Sequence, residues 1–81
     1  MYSINTKGDF IMTVTNKTQN ELENLYTKLK KVGKTPISKT EQTETYIVGE
    51  KTIEVSFDKQ HKVALYIQYD ENGTMEKVYR L

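Results

Sequence analysis

One histidine, no cysteine and no tryptophan occur in this chain, and these counts limit its chemistry before any fold is considered. Thiol nucleophiles, disulfides and thiolate zinc sites are excluded. A Ser-His-acid relay would need His61 beside Ser3, Ser38 or Ser56, and no spacing suggests that arrangement. His61 lies instead in Asp58-Lys59-Gln60-His61, a polar run that reads as a turn. The carboxylate pairs Glu41/Glu44 and Glu50/Glu54 are expected to form a solvated strand face rather than an acid–base couple. Asp70-Glu71-Asn72-Gly73 offers oxygen ligands but lacks the spacing and terminal glutamate of a calcium loop, so a hairpin turn is expected. Gly8, Gly33, Gly49 and Gly73 are isolated, and none builds a phosphate-cradling loop. The expectation is a chain that is not an enzyme and has no catalytic residue, metal site or cofactor.

Two other groups of residues suggest binding. Lys28, Lys30, Lys31, Lys34 and Lys39 gather within twelve positions, and such a cluster can hold phosphate backbone. The sole arginine, Arg80, lies far along the chain, and no aromatic accompanies the cluster in the pattern a base-stacking reader uses. The second group is apolar. In the strand registers derived below, Ile11, Ile47, Tyr66 and Val78 project from the sheet face away from the helix, near the Gly49 turn. A one-sided antiparallel sheet is normally polar on that face, so these residues are expected to form a protein interface.

The elements that position them follow from periodicity. Asp9–Thr15 alternates and reads as a strand. Thr18 with Glu21 three residues on is a capping-box signature. Leu22, Leu25, Tyr26, Leu29 and Val32 then form a helical stripe, so a helix is expected over 17–32, with Gly33 as its left-handed terminator and Pro36 barring continuation. Residues 35–43 read as a loop or the start of an edge strand. Thr43–Val48 and Lys51–Phe57 flank Gly49-Glu50, which fits a type II′ hairpin pairing Tyr46 with Ile53 and Val48 with Lys51. Lys62–Tyr69 places Val63, Leu65, Ile67 and Tyr69 on one face. The Asn72-Gly73 turn leads to a last strand, Thr74–Leu81, in which Met75, Lys77, Tyr79 and Leu81 share a face. The fold class is thus α+β in the order β-α-β-β-β-β, with one helix packed on a four- to five-stranded antiparallel sheet.

This order resembles the cystatin-like architecture, in which one helix is wrapped by a curved antiparallel sheet. Thr45-Tyr46-Ile47-Val48-Gly49 is similar to the Gln-x-Val-x-Gly hairpin of that family, with Gly49 matching outright. The last hairpin, Ala64–Gly73, is similar to the C-terminal hairpin of the phage uracil-DNA glycosylase inhibitor family. Members of that family are strongly acidic, whereas this chain is near neutral.

At 81 residues and 36% apolar composition the chain makes one domain over 1–81, with residues 1–8 expected to be flexible. A core of this size leaves about 3–5 kcal/mol of net stability, so a partner or a second copy forming a homodimer would matter. No apolar run approaches a membrane span, and Met1–Gly8 has no apolar leader region, so a cytoplasmic protein is expected. Residues 1–40 carry +4 and residues 41–81 carry −3, which sum to the net +1. The Lys-, Thr- and Tyr-rich usage suggests an AT-rich genome, as in many bacteria, phages and mobile elements. The functional expectation is a small binding module that docks on and inhibits or modulates a larger protein, in the manner of a phage inhibitor of a host defence enzyme (anti-CRISPR-like). The alternative is a nucleic-acid-binding module built on the lysine cluster.

Overall fold

The computed structural model describes residues 13–81. The expectations placed on residues 1–8, on the strand's beginning at Asp9 and on Ile11 lie outside the described residues. The elements are β1 (Thr13–Asn16), α1 (Gln19–Gly33), β2 (Ser38–Lys39), β3 (Thr43–Val48), β4 (Lys51–Phe57), β5 (Val63–Tyr69) and β6 (Met75–Arg80). Among the described residues they make a small α+β domain with one helix against one sheet.

The sheet differs from the expected one. It has six strands in the order β1-β6-β5-β4-β3-β2, and it is mixed, because β1 runs parallel to β6. From β2 onward the chain is an antiparallel meander. A parallel neighbour needs a long crossover. Here α1 and the meander supply it, carrying the chain from one sheet edge to the other and back. The sixth strand is the two-residue β2, drawn from the polar stretch that left loop and edge strand both open.

The helix forms where its pattern places it. Thr18 caps it reciprocally: Glu21 N–H donates to the Thr18 hydroxyl at 3.1 Å, and Thr18 N–H donates to Glu21 Oε1 at 2.8 Å. Leu22 and Leu29 are fully buried against Tyr46, Ile53, Val55, Val63 and Tyr66. Burying each leucine contributes about 1.5–3 kcal/mol. The helix end corrects the sequence reading. Gly33 remains helical, and Lys34 takes the positive φ of 59°. Gly33 continues the Leu29 side of the helix and lies so close to Tyr46 that a Cβ would sit 2.9 Å from its Cδ2. With Gly33 as the contact, Val32 turns outward and is exposed.

The β3–β4 register is as derived, with Tyr46 opposite Ile53 and Val48 opposite Lys51. Gly49 has φ +63° and Glu50 a negative φ, the type II′ combination. The β5 and β6 faces are corrected by two bulges. Ser56 pairs with Leu65 but Phe57 pairs with Val63, so Ala64 is the extra residue. Val63 and Tyr66 therefore both face the helix, and Leu65, Ile67 and Tyr69 face away. Gln68 pairs with Lys77 but Tyr69 with Met75, so Glu76 is the second extra residue. Met75 joins the outer face, whereas Lys77 and Tyr79 stay on the helix side.

Candidate functional site

Two surfaces concentrate the unusual side chains. The first is the sheet face opposite the helix, where cross-strand pairing fixes the neighbours. One row runs Thr45, Glu54, Ile67, Val78, Val14 across β3, β4, β5, β6 and β1. The adjoining row runs Ile47, Thr52, Tyr69, Met75. Leu65 and Arg80 pair in the next. Apolar character thus concentrates over β5, β6 and β1, while β3 and β4 present mainly Thr, Glu and Ser. Ile67 and Val78 are buried; Val14 and Met75 beside them are exposed at 50% and 38%, and Ile47 on β3 at 46%.

The structure separates the residues expected on this face. Ile47 and Val78 lie on it, and Gly49 is exposed in the adjacent turn. Tyr66 does not: the bulge at Ala64 turns it into the core, 7% exposed, where its ring meets that of Tyr79 at 5.8 Å. Sequence alternation missed Leu65 and Ile67, because the bulge inverts the face of every later residue in β5; Val14 reaches this face by pairing with Val78 across the parallel β1–β6 contact, which alternation within β1 does not show.

The second surface is a cleft on the helix side, near the sheet edge formed by β2. It has a volume of about 350 Å³ and is lined by Tyr26, Phe57, Lys39, Glu41, Glu44 and His61. At its base Glu44 is buried, with only 8% exposure. Tyr26 and Tyr46 both donate their hydroxyls to Glu44 Oε1 at 2.7 Å. Oε2 takes no hydrogen bond among the described residues, and the Lys39 ammonium stands 3.7 Å from it. Burial alone would raise the Glu44 pKa. The Tyr46 and Tyr26 hydroxyls, with Lys39 and Lys30 nearby, outweigh it and hold the carboxyl below its ordinary value. Burial and the Glu44 hydrogen bond push the Tyr26 and Tyr46 hydroxyls up. The base of the cleft is thus a fixed anion with two protonated phenols. Its wall is aromatic, Tyr26 and Phe57 meeting edge to face at 5.2 Å.

No family model, no curated protein and no solved structure matches this chain.

Glu44 was expected on a solvated strand face, and that expectation is corrected. The signal lay in the register itself: Glu44 is two residues before the inward Tyr46, so it shares the helix-facing side. Glu41 is exposed, as expected. His61 occupies a turn, also as expected, with φ +64°. The five lysines do not act alike. Lys30 lies 4.4 Å above the Tyr26 ring, and Lys39 pairs with Glu44. Lys28, Lys31 and Lys34 are exposed and make no ion pair among the described residues. No group of three or more His, Asp or Glu side chains able to hold a metal ion occurs among the described residues. No helix there is long and apolar enough to cross a membrane.

Proposed function

We propose that this chain is a non-catalytic protein-binding module that docks on a larger protein through the outer face of its sheet and modulates that protein by covering it. One observation carries this reading: the apolar rows over β5, β6 and β1, where exposed Val14 and Met75 flank buried Ile67 and Val78, with exposed Ile47 two strands from β5 in the Met75 row. Exposed apolar side chains gathered beside polar strands favour a protein partner over solvent. Tyr69 adds an aromatic edge, its hydroxyl held by Glu54 at 3.2 Å. The uneven charge along the chain would orient the approach. Inhibition of a host enzyme by a phage or mobile-element protein is the concrete form of this function.

The test uses capture from lysate by wild type and by the double variant Val14→Lys/Met75→Lys, whose sites are exposed enough to keep the fold. The expected result is a stoichiometric protein that survives nuclease and about 0.5 M salt, and that the variant fails to retain. Equal retention by the variant would overturn the assigned face. Capture that vanishes with nuclease would move the function to Lys28, Lys31 and Lys34.

A further inference from the structure

The cleft around Glu44 faces the helix side, away from the surface proposed above, so the two proposals stand or fall separately. We propose that it is a recognition site for the guanidinium group of an arginine residue on another polypeptide. A buried carboxylate is ordinarily paired closely with a cation as well as hydrogen-bonded. Here Oε1 is saturated by Tyr26 and Tyr46, while Oε2 has only the Lys39 ammonium at 3.7 Å. That ammonium is beyond hydrogen-bond distance, and its side chain is 68% exposed. The charge of Glu44 is therefore balanced from outside by a loosely held cation.

The protein's own lysines mark what the site attracts. One ammonium hovers at the carboxylate, and a second, from Lys30, covers the Tyr26 ring. Glu41 adds a further carboxylate to the lining, and Phe57 an aromatic wall. Guanidinium suits this combination better than ammonium does. It is planar and weakly hydrated, it stacks on aromatic walls, and it presents several donors from one group. Arginine enters by displacing Lys39, donates to Glu44 Oε2, and lies along Phe57. The cleft is open-sided, so it takes the tip of a side chain whose backbone stays outside.

His61 forms another part of the cleft wall. Its turn, Asp58–Lys62, repeats the hydrogen-bond pattern of Asp70–Thr74, where the equivalent left-handed residue is Gly73. A histidine at that position is less favourable than glycine, and its side chain lines the cleft.

The experiment is an NMR titration of the full chain with N-acetyl-L-argininamide, with the isosteric neutral N-acetyl-L-citrullinamide and free L-arginine run in parallel. A single side chain in an open cleft should bind with a Kd on the order of 1–10 mM. Saturable shifts of Tyr26, Glu44 and His61 signals with the arginine amide, absent with the citrulline amide, are expected. Lys39→Ala, which removes the resident cation at an exposed position, should tighten binding by about two- to fivefold. Glu44→Gln should abolish it. Equal shifts with the citrulline amide, no saturable shift in either wild type or Lys39→Ala, or weaker binding by Lys39→Ala would overturn the proposal. Tighter binding of free L-arginine than of the blocked form would overturn the assignment to a residue in a polypeptide.

Discussion

At Gly33 two effects oppose each other. Alanine is the better helix former by about 1 kcal/mol, but its Cβ would meet the ring of fully buried Tyr46 at 2.9 Å. That ring is packed on all sides and cannot yield cheaply, and overpacking costs about 1–3 kcal/mol. Gly33→Ala should therefore destabilise the protein by up to about 2 kcal/mol, read as a lower urea midpoint. His61 invites the opposite change. Its φ of +64° favours glycine and nothing clashes with less side chain, so His61→Gly should raise the urea midpoint by the equivalent of about 0.5–1 kcal/mol. Glu44 carries a pH signature. Its folded pKa is depressed, so its contribution is present above the ordinary carboxylate value of about 4.3. That contribution is lost as pH falls through the lower folded value. Glu44→Gln keeps an acceptor for the two tyrosines but cannot titrate. The stability lost between neutral pH and about pH 3 should be smaller in Glu44→Gln than in wild type. Glu21 and Asp58 are depressed too, by backbone hydrogen bonds from Thr18 and Lys62, but they act alike in both proteins. Much of this site was within reach of the sequence, since the parity that sends Tyr46 inward sends Glu44 with it. The convergence of Tyr26 from the helix and His61 from a distant turn was not, because no local pattern encodes which helical turn meets which strand.

The elements divide by whether a local rule governs them. Capping box, apolar stripe and Gly49 turn are local, and the structure contains all three where their residues stand, except that Val32 leaves the stripe and is exposed. Thr18→Ala should cost about 1 kcal/mol and reduce protection of the first-turn amides in hydrogen exchange, because it leaves Glu21 N–H without its acceptor. The two later hairpins share a second local device. Asp58 accepts from Gln60 and Lys62 N–H, and Asp70 from Asn72 and Thr74 N–H, at 2.8–3.0 Å. Asn72-Gly73 signalled a turn, yet Gly73 alone takes positive φ, so the loop is a three-residue one rather than the two-residue form that Asn-Gly favours. The bulges at Ala64 and Glu76 follow no such rule. Ala64 lies in an unbroken apolar run, Val63–Ile67, that supports either parity. The packing of Val63 and Tyr66 beneath the helix decides between them. Glu76 is tied on the helix side by Lys51 and Gln68, contacts that arise only after the register is set.

For the whole molecule, the decisive feature is the position of β6. It lies between β5 and β1 rather than at an edge, and its C-terminal end is anchored as well: Lys17 N–H donates to Arg80 O at 2.6 Å and Asn16 Nδ2 to Leu81 O at 3.0 Å. Removing residues 75–81 therefore strips β1 of its partner and β5 of one ladder. Circular dichroism of chain 1–74 should show loss of the cooperative thermal transition, whereas an edge strand's removal would leave a lowered one. Alternation cannot disclose this arrangement, because a strand's pattern of faces is the same whichever neighbour it has and whichever way that neighbour runs. The parallel β1–β6 contact joins Thr13 to Lys77, 64 positions apart (77 − 13). On the ribosome, at about 5–20 residues per second, the first strand would wait roughly 3–13 s for its partner to be made. Throughout that interval β1 lacks its partner, and Leu22 and Leu29 lack the completed sheet that buries them, which is exposed apolar surface of the kind that chaperones hold.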